Sequence, residues 1–179
     1  MNYKESKQYR LPGYNYANDG MYFITICTKD NEVFFGNVIG GKMKLSKIGE
    51  IADQYLRDIP KHFPQVKLDE YVVMPNHAHG ILELRNDIVV RTRHGAFLQQ
   101  NSMGIHPLIK NSLSSIINHY KGAVKKWCNE NNYENFEWTS RFRDTVILHE
   151  NALYNFRKYI INNPANWEKD KNKQKNLYY

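Results

Sequence analysis

Alternation of apolar and polar side chains is clearest over residues 21–28 (MYFITICT), where β-branched and aromatic residues predict a strand. Residues 32–45 hold two short extended pieces broken by Gly36 and Gly40-Gly41, the pattern of a hairpin. The period then lengthens. After a capping Ser46, the residues Ile48, Ile51, Ala52, Tyr55, Leu56 and Ile59 keep helical spacing, and Pro60 is expected to stop that helix. Residues 67–74 and 77–84 read as two more strands, joined through Pro75-Asn76. A long helix should begin at Leu113, with Ile116, Ile117, Tyr120, Val124 and Trp127 on its apolar face and Lys110, Lys121, Lys125 and Lys126 largely opposite. A last strand is expected at 144–148. A last helix follows from Glu150 to about Asn163, closed by Pro164.

The stretches between these elements are polar. Residues 1–20 read as an arm, residues 85–107 as a long loop carrying Arg85, Arg91, Arg93 and His94, and residues 168–179 as a basic tail that frays. No internal repeat or linker divides the chain, so residues 1–179 are expected to form one domain. The order of strands and helices predicts an α+β fold, an antiparallel-rich sheet with helices packed on it.

Composition narrows the class of protein. With 179 residues, 41% of them hydrophobic, the chain can bury an ordinary core without staples. Cys27 and Cys128 form no CxxC pair, which argues against a zinc knuckle or a disulfide framework and fits a reducing cytoplasm. No apolar run approaches a membrane span, and no signal-peptide core follows Met1, so a cytoplasmic, nucleoid-associated protein of a bacterium is expected. The net charge of +7, together with 13% aromatic residues, favours a polyanionic partner whose phosphates meet cations and whose bases stack on rings.

The sharpest chemistry lies in the run VVMPNHAHGILEL, residues 72–84. Residues two apart on a strand share a face, so His77 and His79 project together. Neutral imidazoles side by side are a ligand pair for a divalent ion, although two histidines on an exposed strand face are the plainer reading of a bare HxH. The run resembles the HUH motif of single-tyrosine transposases, above all the REP-associated tyrosine transposases, which commonly read MPNHxH there. The similarity extends over most of the chain and includes residues 113–127, 138–147 and 159–167. The block WTSRFRDTVI departs from a family segment often read as WQRxFxDHxI, with Thr139 and Thr145 replacing glutamine and histidine.

The resemblance implies an HUH endonuclease fold with a ferredoxin-like sheet. It also implies DNA nicking and strand transfer through a 5′-phosphotyrosine, on single-stranded or hairpin DNA such as palindromic repeats. Mg²⁺ or Mn²⁺ is the implied cofactor. Of the 13 tyrosines, Tyr120 falls on an apolar stripe and reads as core, whereas Tyr154 and Tyr159 both flank the buried stripe of the last helix. Helical geometry leaves these two open. The family's catalytic tyrosine stands in the terminal helix just before Asn-Pro, which selects Tyr159 as nucleophile. An amide one turn later completes the metal site in related enzymes, making Asn163 the third-ligand candidate beside His77 and His79. Asn163 is equally readable as the residue that ends the helix. Glu83 and Asp144 are the nearest alternative oxygen ligands.

Arg91, Arg93, Lys121, Lys125, Arg141 and Arg143 are candidate phosphate contacts. The enzyme is expected to act as a monomer or homodimer, either mobilising its own element or processing chromosomal palindromes; the MPNHxH form and the C-terminal NPxxW favour the latter. A catalytically silent hairpin-binding module is the alternative, and a water-using phosphoesterase lacks the carboxylates it needs.

Overall fold

The computed structural model describes residues 16–85 and 111–170, with side chains in the last helix only as far as residue 167. Most of the expected arm, loop and tail lies outside these residues, and Arg91 and Arg93 with them.

Strand β1 (Gly20–Cys27) occupies the middle of a four-stranded antiparallel sheet of order β4-β5-β1-β6, in which β4 is Val66–Met74, β5 is His77–Leu84 and β6 is Arg143–Ile147. This is the expected ferredoxin-like, HUH arrangement. Helices α1 (Lys47–Arg57) and α3 (Leu113–Glu130) pack on one face, and α4 (Glu150–Asp170) crosses the other. Strict alternation along β1 and β5 makes both layers possible. Tyr22, Ile24, Ile26, Ala78 and Leu82 enter the core beneath α1 and α3, while Phe23, Thr25, His77 and His79 are left for the α4 side. Tyr120 is core as its stripe predicted, its hydroxyl donating to the Ala52 carbonyl at 3.2 Å.

The expected hairpin is present as β2 (Gly36–Ile39) and β3 (Lys42–Leu45), a separate two-stranded sheet turned by Gly40 and Gly41 at φ 57° and 71°. Its turn reaches α4, with Gly41 against Ala165. Ser46 caps α1, accepting from the Gly49 amide at 3.1 Å.

Two boundaries differ from expectation. Helix α1 ends at Arg57, before Pro60, and the proline lies in the first turn of a short helix, α2 (Ile59–His62). A missing N–H costs nothing there. More consequentially, Pro164 does not close α4, which continues to Asp170. An interior proline costs roughly 3 kcal/mol. Beyond it, Trp167 is buried against Val38 and Met74, and burying a ring of that size offsets a penalty of this order.

A bulge in β4 sets the second layer. Leu68 pairs with Leu82 but Tyr71 with Gly80, so an extra residue enters and the parity of β4 reverses. Asp69, inside the bulge, accepts both arms of the Arg157 guanidinium from α4. Among the described residues no helix is long and apolar enough to cross a membrane.

Candidate active site

The α4 side of the sheet brings together residues that the chain carries far apart. His77 and His79 are 7% and 4% exposed, with ring centroids 4.5 Å apart. Across the strands, His79 is opposite Thr25, and Thr25 opposite Arg143, so these three form one rung. Phe23 stacks on His79 at 5.2 Å, and Phe156 of α4 stacks on Phe23 at 4.4 Å. This aromatic column seats α4 above the histidines.

Tyr159 leaves α4 next to that column. Its hydroxyl is 3.4 Å from His79 Nε2, and its ring meets His79 edge-on with centroids 5.2 Å apart. The residue remains 45% exposed. Tyr154 is 64% exposed and lies about 140° around the helix from Tyr159, turned away from the histidines.

Two turns beyond Tyr159, Trp167 approaches His77 with centroids 6.0 Å apart. Asn163 falls midway between these two aromatics on the same side of α4, one turn from each. It is 3% exposed. The residue before Pro164 is helical here, so Asn163 does not end the helix.

Both imidazoles are neutral near pH 7. Burial alone pulls His77 down to about 4. Burial, then the neighbouring His77, holds His79 well below the ordinary histidine value. Neutral rings keep a lone pair for a cation. Each is anchored through its other nitrogen, His77 Nδ1 to Asn76 Oδ1 at 2.7 Å and His79 Nδ1 to Thr25 Oγ1 at 2.9 Å. Two imidazole nitrogens and a buried amide oxygen fit a hard divalent ion that keeps positions for phosphate oxygens. Among the described residues no cluster of three His, Cys, Asp or Glu side chains competes for one.

The remaining candidates are placed elsewhere. Glu83 shares the histidine face but pairs with Arg85 at 2.7 Å at the far end of β5. Asp144 is opposite Ile24, so it faces the core side of the sheet. Lys121 donates to the carbonyls of Thr139 and Ser140, and Lys125 to those of Glu134 and Phe136. Both ammonium groups staple α3 to the following loop. Arg141 is exposed, and Arg143 borders the site from β6. Thr25 and Phe23 were not singled out from the sequence, because their place beside His79 is a matter of strand register.

No protein-family model matches the chain. A Haemophilus influenzae (strain Rd) protein described as uncharacterized is 35% identical over 161 residues, covering 90% of this chain and 89% of its own. The structure of a REP-associated tyrosine transposase bound to a REP hairpin is similar over 90% of this chain and 74% of the other, with a TM-score of 0.59 and 18% identity. The protein therefore belongs to one family with the Haemophilus influenzae protein and is built on the HUH fold of a REP-associated tyrosine transposase.

Proposed function

We propose that this protein is a divalent-metal-dependent, single-tyrosine DNA nickase and strand-transfer enzyme that acts on single-stranded or hairpin DNA. The observation that carries the reading is Tyr159, a half-exposed residue whose hydroxyl is 3.4 Å from a buried, neutral His79. The hairpin held by the transposase of like fold supports the choice of substrate, as does this chain's net charge of +7.

In this reading the Tyr159 oxygen attacks a backbone phosphorus. A bond forms between that oxygen and phosphorus while the bond from phosphorus to the 3′-oxygen breaks. The tyrosine proton is released, and the departing 3′-oxygen takes up a proton as the free 3′-OH. One phosphodiester is exchanged for another, so rejoining by attack of a 3′-OH on the phosphotyrosine needs no ATP. His77 and His79, through Nε2, and Asn163, through Oδ1, would hold Mg²⁺ or Mn²⁺. When bound, the ion supplies charge that a phosphate in transfer needs, polarising it toward a nucleophile as weak as tyrosine. The Phe23–Phe156 column keeps Tyr159 over the histidines, and Arg143 borders the rung where a neighbouring phosphate would lie.

Covalent capture tests the proposal. Purified protein is mixed with hairpin oligonucleotides from flanking genomic palindromes and Mn²⁺, and products are separated under denaturing conditions. A metal-dependent adduct that maps to Tyr159 by mass spectrometry is expected. Tight hairpin binding with no adduct on any palindrome would instead mark a catalytically silent binding module.

A further inference from the structure

Asn76 has no part in the chemistry above, yet it is 1% exposed and touches His77 directly. Its carbonyl and both ends of its side-chain amide are hydrogen-bonded. Its carbonyl accepts from the Thr28 amide and the Thr28 hydroxyl, each at 2.9 Å. The preceding carbonyl, that of Pro75, accepts from the Phe35 amide at 2.9 Å. The turn between β4 and β5 is thus held from outside.

The side chain is held as well. Asn76 Nδ2 donates to the Asn31 carbonyl at 3.1 Å, and a carbonyl can only accept. That bond decides which end of the amide is nitrogen. The other end, Oδ1, is therefore the atom 2.7 Å from His77 Nδ1, and an amide oxygen can only accept. His77 must carry its proton on Nδ1. The opposite tautomer would set a nitrogen lone pair against an oxygen lone pair at that distance inside the protein. His79 has no such constraint from Thr25, since a hydroxyl donates or accepts as required.

We propose that Asn76 is the positioning residue for His77: relayed from the Asn31 carbonyl, its amide fixes the Nδ1–H tautomer and leaves Nε2 as the ring's available lone pair. The proline-asparagine pair ahead of the histidines is therefore part of the site as well as a turn. The inference rests on the metal-centre reading only for the second of its two measurements.

The first measurement needs neither metal nor DNA. Long-range ¹⁵N–¹H spectra of the labelled, metal-free full chain report the tautomer of each histidine, with His77 assigned by its loss in His77→Gln. The wild type and Asn76→Asp should both show Nδ1–H at His77, because both present an acceptor; Asn76→Leu should lose it. The second is Mn²⁺ binding by calorimetry. Asn76→Leu should bind about 10–100-fold more weakly, the usual effect of losing an outer-shell partner, and Asn76→Asp should stay within about threefold of wild type. Both variants lose the donor to Asn31, so an asparagine that merely holds the turn would make them fail alike, and that result overturns the proposal. A wild-type His77 in the Nε2–H form overturns it too. If the wild type binds no Mn²⁺, the metal centre fails, and the tautomer spectra still decide the role of Asn76.

Discussion

Arg157 grips the carboxylate of Asp69 with two parallel hydrogen bonds, Nε to Oδ1 at 2.8 Å and Nη2 to Oδ2 at 2.6 Å. The guanidinium belongs to α4, just ahead of Tyr159, and the carboxylate to the bulge of β4. The pair therefore sets where α4 lies on the sheet. Because Arg157 is 43% exposed, solvent screens the charge, and Arg157→Lys or Asp69→Asn should cost only about 1 kcal/mol in urea unfolding. A cost near zero would mean that the aromatic column alone seats the helix.

The same pair predicts an acid limb. Hydrogen bonding to Arg157, ahead of all other causes, holds the Asp69 carboxyl below its usual range. A depressed folded-state value contributes stability above the unfolded pKa of about 3.9 and loses it as pH falls through the folded value. The stability gap between wild type and Asp69→Asn should be level above about pH 5 and close below pH 4. A gap that widened toward acid would contradict the assignment.

Tyr159 and Tyr154 should behave oppositely. Tyr159→Phe removes the hydroxyl facing His79 and should lower adduct formation by ~10³-fold or more, with hairpin affinity within about threefold. Tyr154→Phe, on an exposed part of α4, should leave adduct yield near wild type. An adduct on Tyr159→Phe would identify another nucleophile.

Removing metal with a chelator should abolish nicking, and Mn²⁺ should restore it. His77→Ala and His79→Ala should each weaken Mn²⁺ binding beyond the ~10–100-fold typical of an outer-shell loss. Asn163→Asp should retain binding and Asn163→Leu should lose it. Unchanged Mn²⁺ affinity in Asn163→Leu would reduce Asn163 to a packing residue of α4.

Trp167 carries the helix past its proline. Trp167→Ala should destabilise the protein by about 3–5 kcal/mol, since it empties the cluster with Val38 and Met74. It should also lower helical circular dichroism as the residues beyond Pro164 unwind. A loss of under about 1 kcal/mol would leave the continuation of α4 without a cause.

Local patterns in the chain were enough to determine most of its strands and helices and the shared direction of His77 and His79. Those properties follow from periods of two and 3.6, which depend only on neighbouring residues. The resemblance in VVMPNHAHGILEL reached further, to a fold, and the sheet order agrees with it. Tertiary structure alone decided the rest. Periodicity left Tyr154 and Tyr159 open on one apolar stripe; the resemblance chose Tyr159, and the crossing of α4 over the sheet puts its hydroxyl beside His79. Pro164 reads locally as a stop, and long-range burial of Trp167 overrides it. Thr25 and Asn76 reach the histidines through strand register and through a turn held by Thr28, Asn31 and Phe35. Lysine patterning pointed to phosphate contacts, whereas Lys121 and Lys125 find carbonyls on a loop that sequence does not place. In each case the deciding partner is distant along the chain, and periodicity is blind to distance of that kind.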